Sequence, residues 1–145
     1  MLESYKLHIN CGGEAVTING SSTAYADTGQ SGPSKFYRSP QNWAFSSTGH
    51  FLDDNRPIDN YIAQNSSSLS MINPELYMKA RLSPLSLTYY AFCLGNGNYT
   101  VNLHFAEIEF TDDETYYSLG RRIFDIYIQV VITIYFHFHQ AIFNY

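Results

Sequence analysis

Aromatic side chains with polar neighbours are the feature of this sequence that indicates a specific chemistry, that of carbohydrate binding. Aromatic rings stack on the C–H faces of sugars, and amides and carboxylates bind the sugar hydroxyls. Such residues lie in or beside segments that we predict to be loops, where a binding platform would form. The aromatic candidates are Trp43, Phe45, Phe110, Tyr116 and Tyr117, and the polar candidates are Asn42, Asp112 and Asp113. The alternative is that these rings only anchor long loops on the core.

Two other groups of side chains have types that occur in enzyme and metal sites. Glu107 and Glu109 are two residues apart on a predicted strand, about 6.6 Å along the backbone. A glycosidase needs its two carboxylates on opposite sides of the scissile bond, which neighbours on one strand rarely provide. His137 and His139 have the spacing of a zinc-binding pair, but no cysteine lies near them. The sequence therefore predicts no enzyme activity, no metal site and no cofactor.

The composition of the 145-residue chain limits the classes of protein to which it can belong. The net charge is −5 and only 14% of the residues are charged, with no cluster of Lys and Arg, which argues against nucleic-acid binding. Two cysteines outside any CxxC motif, and Asn-x-Ser/Thr sequons at Asn19, Asn65 and Asn98, indicate the secretory pathway. Neither a signal peptide nor a membrane-spanning apolar stretch is visible, so we expect a piece of a longer extracellular protein.

Alternation of apolar and polar residues predicts an all-β fold with two packed antiparallel sheets. The predicted strands are Tyr5–Asn10, Ala15–Ile18, Leu76–Arg81, Ser86–Leu94, Tyr99–Ile108 and Arg122–Gln129, and residues 20–75 are predicted to be long loops with short strands. Gly95–Asn98 predicts a tight hairpin turn. In such a sandwich Cys11 and Cys93 can be adjacent, and a disulfide between them would close a loop of about 80 residues, worth ~4–5 kcal/mol. The alternative is two separate buried thiols.

Four motifs in this order resemble those of the malectin domain in the ectodomains of plant leucine-rich-repeat receptor-like kinases. They lie at His8–Gly13, Leu76–Arg81, Tyr89–Ile108 and Gly120–Gln129. The resemblance implies a jelly-roll-like β-sandwich related to carbohydrate-binding modules, on the extracellular side of the plasma membrane. It ends at residue 129, so we expect a domain at residues 1–129 that is incomplete at its C-terminus. Residues 130–145 would then form a divergent apolar tail.

The resemblance also implies where a sugar would bind. The family's Tyr-Phe pair after the Phe-Ala-Glu motif is replaced here by Glu109 and Phe110, and another family tyrosine falls near Leu82. Together with Trp43 and Tyr116 from the loops, these residues form the predicted carbohydrate site. We expect a non-catalytic module that binds cell-wall or N-linked glycans. The alternative is a module that contacts a co-receptor protein or a peptide without binding sugar. Any kinase domain of a parent receptor would lie outside this chain.

Overall fold

The computed structural model describes residues 5–18, 20, 22–28, 32–52, 61–65, 71–106, 108, 122–128 and 131–138. Within these ranges the regular structure is all strand apart from one 3-10 turn, so the all-β prediction is confirmed. The elements are β1 (Ile9–Asn10), β2 (Val16–Ile18), β3 (Ser22–Ala26), β4 (Phe36–Arg38), β5 (Trp43–Thr48), β6 (Ile62–Gln64), η1 (Pro74–Tyr77), β7 (Lys79–Arg81), β8 (Ser86–Ala91), β9 (Arg122–Ile128) and β10 (Val131–Phe138).

The chain divides into two compact units, Met1–Thr100 and Val101–Tyr145. In the first unit β3 lies between β1 and β2, β5 lies between β4 and β8, and β6 pairs with β7. In the second unit β9 and β10 form an antiparallel pair. The prediction of purely antiparallel sheets needs one correction, because β1 runs parallel to β3 with Ile9 opposite Tyr25. A strand of two residues gives no sequence signal of its partner or direction.

Strand β5 is the centre of the first unit. Its residues Trp43, Ala44 and Phe45 are fully buried, because β4 and β8 flank the strand on both sides. The prediction of long loops with short strands for residues 20–75 set no bounds for those strands, and β5 is one of them. Its bounds could not be predicted, because a short run of buried residues lacks the alternation by which a half-exposed strand is recognised.

The segment Tyr99–Ile108, the clearest strand in the sequence pattern, is not a strand in the structure. Its described residues, 99–106 and 108, have no regular secondary structure, and Tyr99, Val101 and Leu103 are exposed. Strand β8 ends at Ala91, and Cys93 has a left-handed backbone with φ of 53°. The chain therefore leaves the strand direction before Gly95–Asn98, and the predicted tight turn does not join two paired strands.

The other predicted strands are found with shifted or shorter bounds. The segment Leu76–Arg81 is half 3-10 turn, η1, and half strand, β7. Pro74 starts η1, because its fixed φ suits a first helical position, and Asn73 before it has φ of 54°. Strands β2, β8 and β9 lie within the bounds predicted for them, and β1 keeps only the end of its predicted range.

Candidate functional site

The sheet β4–β5–β8 presents two different faces. Cross-strand register places Tyr37, Phe45 and Tyr89 in one row, so these three rings share a face. Trp43 lies on the same face, with its ring centroid 5.8 Å from that of Tyr37 and 6.2 Å from that of Tyr89. Phe45 contacts Tyr37 at 5.7 Å and Tyr89 at 6.0 Å. This face is core.

An ion pair is buried against this core face. The Arg81 guanidinium donates from Nε and Nη2 to the two carboxylate oxygens of Asp27, each at 2.8 Å. The side chains of Arg81 and Asp27 are 2% and 0% exposed. The guanidinium carbon of Arg81 lies 4.0 Å from the centre of the Phe45 ring. Asp27 also accepts hydrogen bonds from the backbone N–H of Gly12 at 3.0 Å and from the Tyr89 hydroxyl at 2.7 Å.

This buried cluster joins elements that are remote in sequence, and it explains why the chain turns at Gly12. Gly12 has φ of +84°, and a Cβ there would lie 2.5 Å from the backbone nitrogen of Arg81. Only glycine therefore allows the turn after β1 to approach β7 so closely. Because Asp27 and Arg81 are closed to solvent and satisfy each other, we assign them a structural role.

Cys11 lies at the margin of the same cluster. Part of Cys11 is exposed, but desolvation around the sulfur raises the pKa of its thiol, and the negative charge of Asp27 adds to the increase. A hydrogen bond with Tyr89 opposes part of this increase. The pKa of the Tyr89 hydroxyl is raised strongly, first by desolvation and then by the negative charge that Cys11 and Asp27 carry when ionised. Both groups are therefore held in their neutral forms.

The opposite face of the sheet is open to solvent along its two outer strands, and we call it the aromatic face: Phe36, Arg38, Ala44, Ser46, Thr88, Tyr90 and Phe92. Phe36 is 68% exposed and Tyr90 is 40% exposed. The rings of Tyr90 and Phe92 are parallel within 1°, with centroids 6.5 Å apart. The Tyr90 hydroxyl lies 3.1 Å from Ser46 Oγ. The guanidinium carbon of Arg38 lies 5.7 Å from the centre of the Phe92 ring.

Small residues form the middle of the aromatic face. Register places Ser46 between Phe36 and Thr88, and Ala44 between Arg38 and Tyr90. Ala44 is nevertheless fully buried, so the middle of this face is covered. The surface open to a ligand is formed by exposed side chains of the outer strands, Phe36, Arg38, Thr88 and Tyr90, which offer aromatic rings and hydroxyl groups.

The predicted carbohydrate residues are not brought together by the described part of the chain. Trp43 and Phe45 are fully buried, so no sugar reaches them, and the prediction of a loop platform at Trp43 is corrected. Leu82 follows β7, is half-buried, and donates its backbone N–H to the Tyr61 carbonyl at 2.8 Å. Three further predictions, Glu109, Phe110 and Tyr116, lie outside the described residues.

Sequence analysis missed the aromatic face, although part of the signal was present. Alternation along β8 puts Tyr89 and Tyr90 on opposite faces of the strand, so a core position for Tyr89 turns Tyr90 outward. Phe36 and Arg38 needed the cross-strand register, because nothing local indicates that β4 pairs with β5 and β5 with β8.

The predicted covalent sites differ in accessibility. Cys11 and Cys93 are both thiols with exposed surface in the structure, and the disulfide between them stays a prediction. Asn65 is 8% exposed and donates its backbone N–H to the Met78 carbonyl. Asn98 is exposed, and Asn19 lies outside the described residues.

No group of three or more His, Cys, Asp or Glu side chains in the described ranges has the arrangement of a metal site. No helix of those ranges has the length and apolar character required to cross a membrane.

Comparison with known proteins places the chain in a family. The sequence model of the malectin domain matches residues 5–135, which extends a few residues past the predicted domain end. The chain is 56% identical over 130 residues to the Arabidopsis thaliana protein named probable LRR receptor-like serine/threonine-protein kinase At1g07650, covering 86% of this chain and 13% of that protein. It is 50% identical over 126 residues to the similarly named At1g29720 from the same plant, covering 85% and 12%.

The chain thus spans about an eighth of the length of these curated relatives. No solved structure matches it. The match to the family model covers most of the residues. It includes β1 to β9 and the first part of β10, together with the motifs around Gly12, Arg81 and Tyr89. On this evidence the chain belongs to the malectin domain family.

Proposed function

We propose that this chain is a non-catalytic, glycan-binding module in the ectodomain of a receptor-like kinase, on the extracellular side of the plasma membrane. The names of the relatives support the receptor context, and membership of the malectin family supports carbohydrate as the ligand class. Recognition requires stacking and hydrogen bonds, with no chemical step, so the proposal assigns no catalytic residue.

The observation that carries the ligand class is the solvent-exposed aromatic face. Tyr90 and Phe92 present two parallel rings on one face of the sheet, and Phe36 lies on the same face in the row of Ser46 and Thr88. Rings bury a large apolar area at a low cost in conformational entropy, and the tyrosine hydroxyl adds a polar contact at the edge. A pyranose ring has the matching character, since its faces expose C–H groups and its rim carries hydroxyls.

A second location for sugar contacts follows from the family resemblance alone. Glu109 and Phe110 occupy the place of the family's sugar-binding Tyr-Phe pair, and Leu82 falls near another family tyrosine; Tyr116 is added from the predicted loop aromatics. We keep these four residues as proposed sugar contacts that rest on the resemblance alone. Substitution of Phe110 by alanine tests this location independently.

The experiment is a glycan-binding titration of the complete 145-residue chain, with each variant first checked for cooperative unfolding. We expect Tyr90→Ala and Phe36→Ala to weaken glycan binding about tenfold each, which corresponds to about 1.4 kcal/mol for a stacked ring at a contact centre. Ile72→Ala is the matched control, because Ile72 is 82% exposed and lies outside this sheet. Its affinity should equal that of the unmodified chain.

The outcomes separate the possible functions. Weaker binding in Phe110→Ala with unchanged binding in Tyr90→Ala and Phe36→Ala would move the site to the loops and overturn the assignment of the aromatic face. A folded chain that binds no glycan would overturn the carbohydrate proposal. That result would favour the protein-interaction module, for which the exposed apolar residues Leu52, Ile72 and Leu85 offer contact area.

A further inference from the structure

The loop after β8 is anchored at two points and otherwise faces solvent. Gly95 is buried, and a Cβ on it would collide with the ring of Tyr5. The Tyr99 hydroxyl donates a hydrogen bond to the Gly95 carbonyl at 2.6 Å. Between these anchors, residues 96–98 are exposed. The tip of the loop is therefore open to water and to base dissolved in it.

The tip contains one of the two Asn-Gly pairs of the chain, Asn96 and Gly97. Within the described ranges, neither the Asn96 side chain nor the Gly97 backbone N–H takes part in a hydrogen bond. A Cβ on Gly97 would meet nothing within 4 Å. The amide carbon of Asn96 and the nitrogen of Gly97 can thus approach each other by local rotation of an exposed loop. In the other pair, Asn19 and Gly20, the asparagine lies outside the described residues.

We propose that Asn96 is a site of spontaneous deamidation, a modification that is independent of ligand binding. The Gly97 backbone nitrogen loses its proton to base in the solvent and attacks the side-chain amide carbon of Asn96. A new nitrogen–carbon bond forms, the bond to the side-chain nitrogen breaks, and that nitrogen takes up a proton and leaves as ammonia. Water then adds to the cyclic imide. Opening of the ring bond to the side-chain carbon gives aspartate, and opening of the bond to the backbone carbon gives isoaspartate.

Asparagines elsewhere in the described ranges lack this combination, because each of them precedes a residue that has a Cβ. Asn10 is also buried, and its side-chain nitrogen donates to the Glu14 carbonyl at 2.8 Å. Asn73 precedes proline, whose nitrogen has no proton to lose. Asn98 is exposed, but the side chain of Tyr99 crowds the nitrogen that would have to attack.

The modification changes the loop in two ways. Aspartate and isoaspartate each add one negative charge at neutral pH, because the ordinary carboxyl pKa is about 3.9. Isoaspartate also lengthens the backbone by one methylene between the anchors at Gly95 and Tyr99. Asn98, the exposed glycosylation candidate, is two positions away. The new carboxylate and any glycan on Asn98 would therefore share the same loop.

The test follows the complete chain during incubation at neutral pH, in material made without N-glycosylation and checked for cooperative unfolding. Enzymatic removal of a glycan would itself create an aspartate at position 98, which is why unglycosylated material is used. Peptide mass spectrometry measures conversion at position 96, and an isoaspartyl methyltransferase with a labelled methyl donor measures the isoaspartate. We expect the folded chain to react within about threefold of the rate of an unstructured peptide of residues 94–100, because opening of an exposed loop costs little free energy.

Gly97→Ala is the variant that tests the chemistry. Gly97 does not have a positive φ, and a Cβ there has open space, so alanine fits without strain. We expect it to slow conversion at position 96 by about tenfold, because the methyl group restricts and shields the attacking nitrogen. Ile72→Ala is the control, since Ile72 is exposed and distant in sequence, and its rate should equal that of the unmodified chain.

Three outcomes would overturn the proposal. A folded chain that reacts more than about tenfold slower than the peptide would show that the loop holds the two groups apart. Equal rates in Gly97→Ala and the unmodified chain would exclude attack by the Gly97 nitrogen. Conversion confined to Asn19 would place the reactive asparagine in the other Asn-Gly pair.

Discussion

The buried pair of Asp27 and Arg81 makes a quantitative prediction about stability. Asp27→Asn keeps the size of the side chain and removes the charge that neutralises Arg81, which is 2% exposed. Leaving a buried charge without its partner costs about 3–5 kcal/mol. Total stabilities of natural domains are about 5–15 kcal/mol, so this single substitution should remove about a fifth or more of the free energy of unfolding.

Two further variants make this magnitude a test of the cause. Tyr89→Phe removes one hydrogen bond to the Asp27 carboxylate and leaves the ion pair intact, so we expect a smaller loss of about 1.5–3 kcal/mol. Glu14→Gln breaks the exposed ion pair with Lys79, and we expect a change within about 0.5 kcal/mol. The stability of the three variants should therefore fall in the order Glu14→Gln, Tyr89→Phe, Asp27→Asn.

The assay is urea denaturation at neutral pH, followed by fluorescence and circular dichroism. Trp43 is the single tryptophan of the chain and is fully buried, so its emission reports exposure of the core on which the ion pair rests. An unchanged dependence on urea concentration would show that the variants differ in stability alone. If Asp27→Asn costs no more than Tyr89→Phe, Arg81 is not held as an uncompensated buried charge, and the reasoning is refuted.

Three further predictions follow from the same structure. Gly12→Ala should lower the free energy of unfolding by more than about 1 kcal/mol, because it places a Cβ against a backbone nitrogen of β7 at positive φ. An unchanged urea midpoint would contradict the close approach. The raised pKa values of Cys11 and Tyr89 mean that the unfolded chain loses these protons first. The stability that these two neutral groups contribute should therefore be fully present below about pH 8.5 and decline through about pH 9–11. The decline should be less steep in Tyr89→Phe, and urea midpoints measured across this pH range will show it. In secreted material Asn98, being exposed, should carry a glycan and buried Asn65 should not, which peptide mass spectrometry before and after deglycosylation will check.

The strands that could be predicted from sequence are those that bury one face. Along β8, Leu87 and Tyr89 alternate with Thr88 and Tyr90, and the alternation gives both the strand and the two directions of its side chains. The same pattern in Tyr99–Ile108 did not give a strand. Alternation shows only that a segment is suited to a sheet, whereas pairing also needs a neighbour in register, and the left-handed backbone at Cys93 turns the chain away from β8.

The features that could not be predicted depend on contacts between distant residues. Asp27 and Arg81 are 54 residues apart, and nothing near either residue distinguishes it from a solvated surface charge. The aromatic face likewise depends on β5 lying between β4 and β8, and β8 is separated from β5 by two other strands in sequence. Local patterns decide which residues turn outward, and only the pairing of strands decides which of those residues become neighbours.

The sequence separation within the buried cluster also constrains when the domain can fold during its synthesis. Asp27 leaves the ribosome 54 residues before Arg81 and 62 residues before Tyr89. At roughly 5–20 residues per second, the 54 residues up to Arg81 take about 3–11 s to synthesise. During that interval the nascent chain contains the Asp27 carboxylate but not the Arg81 guanidinium that neutralises it. A product that stops before β7 lacks Arg81 and therefore leaves the Asp27 carboxylate without its buried partner.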